Sequence, residues 1–144
     1  MITYRFTKEE LHDGNYTLRP KVKVSIMGAK ASMNFHALLD SGTDVTVIPR
    51  PIADFLGVDY DANAKTSFYG FGDKAFPCAE AKIDIVFQGK AERQLERITN
   101  VPVVVSLAEQ ETEPILGLAG IFDSFKTAFI QRKRIQMTRV INNQ

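Results

Sequence analysis

Apolar and polar residues alternate with a period of two along most of this chain, and that period predicts strands. Val22, Val24 and Ile26 alternate with lysine and serine, and a turn at Gly28 follows. Met33, Phe35, Ala37 and Leu39 then alternate with Asn34, His36 and Leu38. The two runs predict a β-hairpin whose second strand ends at Asp40. The clearest alternation sets Ala79, Ala81, Ile83, Ile85 and Phe87 against Glu80, Lys82, Asp84, Val86 and Gln88. A turn is expected at Gln88, Gly89 and Lys90, then strands at 94–98 and 101–105, the second weakened at its start by Pro102. Two strands, 126–130 and 134–140, close the chain, and an edge strand is expected at 2–6. Nothing else in residues 1–21 predicts an element. Pro49-Arg50-Pro51 stops a strand, and residues 52–57 predict one short helix ending at Gly57. Residues 108–113 read as an acidic loop. Strands this closely spaced, with few helical windows, predict a single small closed β domain spanning 1–144.

Composition narrows the class. Of 144 residues, 44% are hydrophobic, enough for a real core, and the formal net charge is +1, so no global field points to nucleic acid or a membrane. Cys78 is the only cysteine, which excludes an internal disulfide and fits a reducing compartment. The first ten residues are charged where a signal peptide is apolar, and no run approaches the roughly 20 apolar residues of a membrane helix. The expectation is a soluble cytoplasmic protein. His12, His36 and Cys78 have no metal-ligand spacing, so no metal and no cofactor are expected. Cys78 reads as buried filler, His36 as a strand-face residue, and Arg132-Lys133-Arg134 as a solvated turn rather than a nucleic-acid patch.

The chemistry lies in residues 35–49. An apolar strand ends in Asp40-Ser41-Gly42-Thr43, and a second apolar run, Val45 to Pro49, follows. A carboxylate is thus delivered from a strand end into a tight turn. The amide of Gly42 and the hydroxyl of Thr43 are placed to donate to it, and Gly42 lets other backbone approach closely. An ordinary Asx-turn uses the same residue types. With its apolar flanks, the stretch resembles the active-site loop of the retropepsin-like aspartic protease family: two apolar residues, then Asp-Ser/Thr-Gly-Ala/Thr/Ser. The signature occurs once. Ile115-Leu116-Gly117 resembles that family's second, apolar-apolar-Gly segment, which precedes a short helix, here expected over 118–125. Ala119-Gly120 departs from the polar residues of the family pattern at that helix start. Tyr69-Gly70-Phe71-Gly72 resembles the glycine-rich flap that closes over a bound peptide; a hairpin tip without ligand is the plainer alternative.

The resemblance covers about 22–137, and it implies more than the pattern does. It implies a mainly β, retropepsin-like closed barrel with one or two short helices, working as a homodimer. Two Asp40 carboxylates would meet at the two-fold axis and share one proton, activating water against a peptide bond on the acid side of neutrality. Ser41 would hydrogen-bond across to the partner loop. The terminal strands, 2–6 and 134–140, would pair across the interface. Ile48, Phe71, Ile115, Leu116 and Gly117 would wall the cleft for a peptide or protein substrate. The competing class is a non-catalytic dimerisation or peptide-binding module of the same fold.

Overall fold

The computed structural model describes residues 1–64, 66–69, 75–108 and 113–140. Its elements are mainly strands. They are β1 (Ile2–Arg5), β2 (Thr7–Glu10), β3 (Tyr16–Arg19), β4 (Lys21–Met27), β5 (Ser32–Leu39), β6 (Thr46–Pro49), α1 (Arg50–Leu56), β7 (Thr66–Tyr69), β8 (Ala75–Gln88), β9 (Gln94–Ser106), β10 (Ile115–Leu116), β11 (Phe125–Ile130) and β12 (Arg134–Arg139). The main sheet has seven strands in the order β4-β5-β10-β6-β9-β8-β7, and β4 also pairs with β8. A three-stranded sheet, β1-β12-β11, and the β2-β3 hairpin hold the other described strands.

Alternation builds the core. Val22, Val24 and Ile26 of β4, Ala37 and Leu39 of β5, Ile83, Ile85 and Phe87 of β8, and Val101, Val103 and Val105 of β9 are all buried in one cluster. Ile135 and Met137 of β12 and Phe125 of β11 join it from the small sheet. A second, smaller cluster lies on the opposite side of the main sheet, where Val47, Cys78 and Val104 pack with Val45, Phe76 and Ile115. Cys78 is fully buried there. Burial, and then the charge of Glu80, push its thiol up from the ordinary value.

Several expectations change in detail. The helix begins at Arg50, because Pro51 suits the first turn of a helix, where its missing N–H costs nothing. It ends as expected at Gly57, which adopts φ 74° and donates to Ala53 and Asp54. The strands expected at 94–98 and 101–105 are one strand, β9. A bulge in the β8–β9 register between Ile83 and Ile85 takes up the irregularity. Asn100 supplies it at φ 54°, its amide donating to Asp84 at 3.1 Å, while Arg97 holds the other carboxylate oxygen at 2.7 Å. No α-helix forms over 118–125. Gly120 turns the chain at φ 78°, outside the helical range, and only a 3-10 turn at Phe122–Ser124 follows. Of the two terminal strands expected to pair with a partner, the last is the larger correction, while β1 lies at an edge of its sheet. β12 pairs with β1 on one side and β11 on the other, so it has no free edge for a partner. Residues 7–19, without a predicted element, form the β2-β3 hairpin, tied down by Lys21, which contacts Glu9 at 3.1 Å and Glu113 at 2.6 Å. Among the described residues no helix is long and apolar enough to cross a membrane, and no His/Cys/Asp/Glu group could hold a metal ion.

Candidate active site

Asp40 stands where three strands converge. β5 carries it; β10 runs parallel to β5, Leu116 opposite Leu39; β6, which follows the loop, pairs antiparallel with β10, Ile115 opposite Val47. The amide of Asp40 donates to Leu116 O at 2.9 Å, and the amide of Leu39 to Pro20 O at 2.9 Å. The strand end is therefore held from both sides before the loop begins.

Inside the loop both carboxylate oxygens are engaged. The Gly42 amide donates to Oδ1 at 2.9 Å and the Thr43 hydroxyl to Oδ2 at 3.1 Å. These are the two donors that the sequence placed there. A Cβ on Gly42 would lie 3.1 Å from Oδ1, so glycine leaves that oxygen uncrowded. The Asp40 side chain is half-buried, while Ser41 and Gly42 are exposed. The Ser41 hydroxyl bonds to no described residue of its own chain, so the face it presents is open.

Gly117 locks the two segments together. Its amide donates to the fully buried Thr46 hydroxyl at 3.1 Å, and a Cβ there would come within 2.4 Å of Val45 O and 2.7 Å of Thr43 O. The next two amides, Leu118 and Ala119, donate to Thr43 O and Asp44 O, each at 2.8 Å. The apolar-apolar-Gly segment and the Asp-Ser-Gly-Thr loop thus brace each other backbone to backbone.

The expected cleft wall divides in two. Ile115 is half-buried on the side of the smaller cluster. Ile48 and Leu116, expected beside it, are fully buried in the main core. The reason is strand alternation: each is one residue from a neighbour, Val47 or Ile115, that takes the other face. Leu38 and Val47 are the apolar residues that the sequence reading missed on that face. Leu38 lies one strand period before Asp40, and that spacing could have found it. Gly70, Phe71 and Gly72, read as a flap, lie outside the described residues, as does the side chain of Tyr69. β7 and β8 pair antiparallel on either side of them, Tyr69 opposite Ala75.

Comparison with known proteins bears on the fold. A retropepsin-like aspartic protease from Rickettsia conorii matches over 93% of this chain and 95% of its own, with a TM-score of 0.53 at 15% identity. The fold is retropepsin-like. EIAV protease complexed with the inhibitor HBY-793 matches over 69% of this chain and 81% of its own, at 22% identity and a TM-score of 0.43, too distant to build on. No protein-family model and no curated protein matches the chain. At these identities the likeness is one of fold, and chemistry has to be argued from the loop.

Proposed function

We propose that the protein is an aspartic endopeptidase that hydrolyses peptide bonds as a homodimer, Asp40 serving as the catalytic residue of each protomer. The observation that carries this reading is the Asp40 loop. In a retropepsin-like fold, a half-exposed carboxylate is oriented through both oxygens and braced by the Gly117 segment. One chain supplies one such carboxylate, and the chemistry needs two. Two Asp40 side chains meeting at a two-fold axis cannot both ionise, so they would hold one proton between them. The ionised member takes a proton from water as that water attacks the scissile carbonyl, and the protonated member donates to the carbonyl oxygen. The gem-diol intermediate then collapses: the leaving amine takes the proton that the first carboxylate had drawn from water, the C–N bond breaks, and a gem-diol hydroxyl returns its proton to the second carboxylate, so the pair again holds one proton. No covalent intermediate forms.

The partner would meet the open Ser41 face. Pairing across the interface would use β11 or β1, the edge strands of the small sheet, since β12 is paired on both sides. β11 follows the Gly117 segment after only the turn at Gly120 and the 3-10 turn at Phe122–Ser124, which favours it. Tyr69 and residues 70–72 would act as the flap, closing over a strand-like peptide and excluding bulk water. Ile115 and Gly117 would border the cleft. The reading has no metal or cofactor, no nucleic acid and no membrane in it, and a cytoplasmic setting fits it.

The test is incubation of concentrated protein with a mixed peptide library at several pH values, wild type beside Asp40→Asn. The expected result is cleavage by the wild type alone. Binding of peptides with no cleavage at any pH would point instead to a peptide-binding module of the same fold.

A further inference from the structure

Residues opposite one another across paired strands share a face of the sheet. The pairings Lys21–Leu38, Leu38–Ile115, Ile115–Val47, Val47–Val104 and Val104–Glu80 therefore trace one row across β4, β5, β10, β6, β9 and β8. The row lies away from the main core: Val47, Val104 and Ile115 belong to the smaller cluster, and the neighbours that alternate with them are in the large one. Asp40 follows Leu38 by one strand period. The row has an apolar middle beside the candidate carboxylate and a charge at each end.

The two ends differ. Lys21 is almost buried and already neutralised by Glu9 and Glu113. Glu80 is exposed and has no ion pair among the described residues. It opens on a cavity of about 580 Å3 whose wall also includes Val45, Val104, Asp59 and Lys82. Val45 and Val104 are members of the smaller cluster, so the cavity continues the apolar row rather than standing apart from it. Two carboxylates, Glu80 and Asp59, and one ammonium, Lys82, line it, and none of the three is paired with a described residue. The charge of Glu80 is felt on this face, where it adds to burial in raising the thiol of Cys78.

We infer that Glu80, with Asp59 of the same cavity wall, selects a basic side chain of a bound extended peptide, at a position remote from the bond that Asp40 would hydrolyse. The inference rests on the endopeptidase reading and adds a substrate class to it: apolar residues around the cut and an arginine or lysine farther along. Strands lie about 4.8 Å apart, so Glu80 stands at most about 19 Å from Leu38 by the path along the curved sheet, while an extended peptide advances about 3.3 Å per residue. Allowing for the length of an arginine side chain, the basic residue falls within roughly four residues of the cut.

The experiment uses extended peptides with large apolar residues at the centre, carrying Arg, Ala or Glu at each position from two to five residues away on either side. Cleavage is followed with the wild type, Glu80→Gln and Glu80→Lys. Binding of the same peptides is followed by fluorescence anisotropy on Asp40→Asn and on its Glu80→Lys double variant. At one position Arg is expected to exceed Glu by up to roughly fivefold in kcat/KM and in affinity, the upper end for an exposed ion pair. Glu80→Gln should remove most of that preference and Glu80→Lys should reverse it, an inversion that a merely structural role for Glu80 would not produce. Equal response to Arg and Glu at every position, or an Arg preference that survives in Glu80→Lys, would overturn the inference while leaving the peptidase reading intact. Charge-ordered binding without cleavage would sustain the inference and defeat that reading. Neither binding nor cleavage would defeat both.

Discussion

At the scale of single residues, the candidate site depends on a few short contacts. Asp40→Asn keeps the shape of the side chain but cannot take a proton from water. It is expected to abolish hydrolysis and leave the circular dichroism spectrum and thermal melt close to wild type. Thr43→Val is the finer test, since it keeps the β-branched shape and deletes only the 3.1 Å hydroxyl contact to Oδ2. A hydrogen bond to a charged group is worth about 1.5–3 kcal/mol, so a loss of roughly tenfold or more in kcat is expected from the misplaced carboxylate. Gly117→Ala tests the brace behind the loop. Its methyl would meet Val45 O at 2.4 Å, backbone that cannot swing aside, so the fold should lose about 2 kcal/mol in urea denaturation and the activity with it. This part of the molecule was legible in advance. Asp40, Gly42 and Thr43 act within four consecutive residues, and such local hydrogen bonds follow from residue type and spacing. The face taken by Val47 and Ile48 was not legible: the run Val45 to Pro49 is apolar on both sides, because that strand is buried on both sides, and alternation then carries no signal.

At the scale of elements, the bulge and the N-terminal strand carry separable predictions. Asp84 binds Arg97 and the amide of left-handed Asn100, and these contacts, Arg97 first, hold its carboxyl below the ordinary carboxylate value. The unfolded chain therefore takes up this proton at higher pH than the folded one. The stability Asp84 contributes is complete above the unfolded value and fades as pH falls through the folded one. Asp84→Asn should accordingly be less stable than wild type at neutral pH, with the gap closing in acid, as followed by thermal melts across pH. Tyr4 ties β1 to the main sheet, its hydroxyl donating to Gln88 O at 2.8 Å, with Lys23 O at 3.2 Å. Burial, opposed by the Gln88 contact, raises its phenol pKa. Tyr4→Phe should cost about 1 kcal/mol in urea denaturation by leaving a carbonyl short of a partner. The period-two pattern located the β4-β5 hairpin and β8 from sequence, because each has one face in the core. It split β9 in two, because Pro102 and the bulge at Asn100 interrupt the pattern without ending the strand. It was silent on β2 and β3, whose exposed Tyr16 and Leu18 face no core.

At the scale of the whole molecule, the retropepsin-like fold was legible because the Asp40 and Gly117 segments, far apart in sequence, match one architecture in order. The sheet edges were not legible, because hydrophobic pattern says which face is buried and nothing about which neighbour a strand takes. That is why β12 was expected at an interface and lies instead between β1 and β11. The proposed dimer makes its own demand on Ser41, exposed and unbonded within the chain. Ser41→Ala should raise the dimer dissociation constant by roughly tenfold in sedimentation equilibrium, the effect of losing about 1.4 kcal/mol of cross-loop hydrogen bonding. The central claim is that one active site is built from two Asp40 side chains, and a mixing measurement tests it most directly. Wild type and Asp40→Asn are combined in varying proportion at constant total protein, allowed to exchange subunits, and assayed on a cleaved peptide. If both carboxylates are needed, activity follows the square of the wild-type fraction, and an equal mixture retains about a quarter of the wild-type rate. A linear decline, with about half the rate in the equal mixture, would mean that each chain works alone and would contradict the shared site.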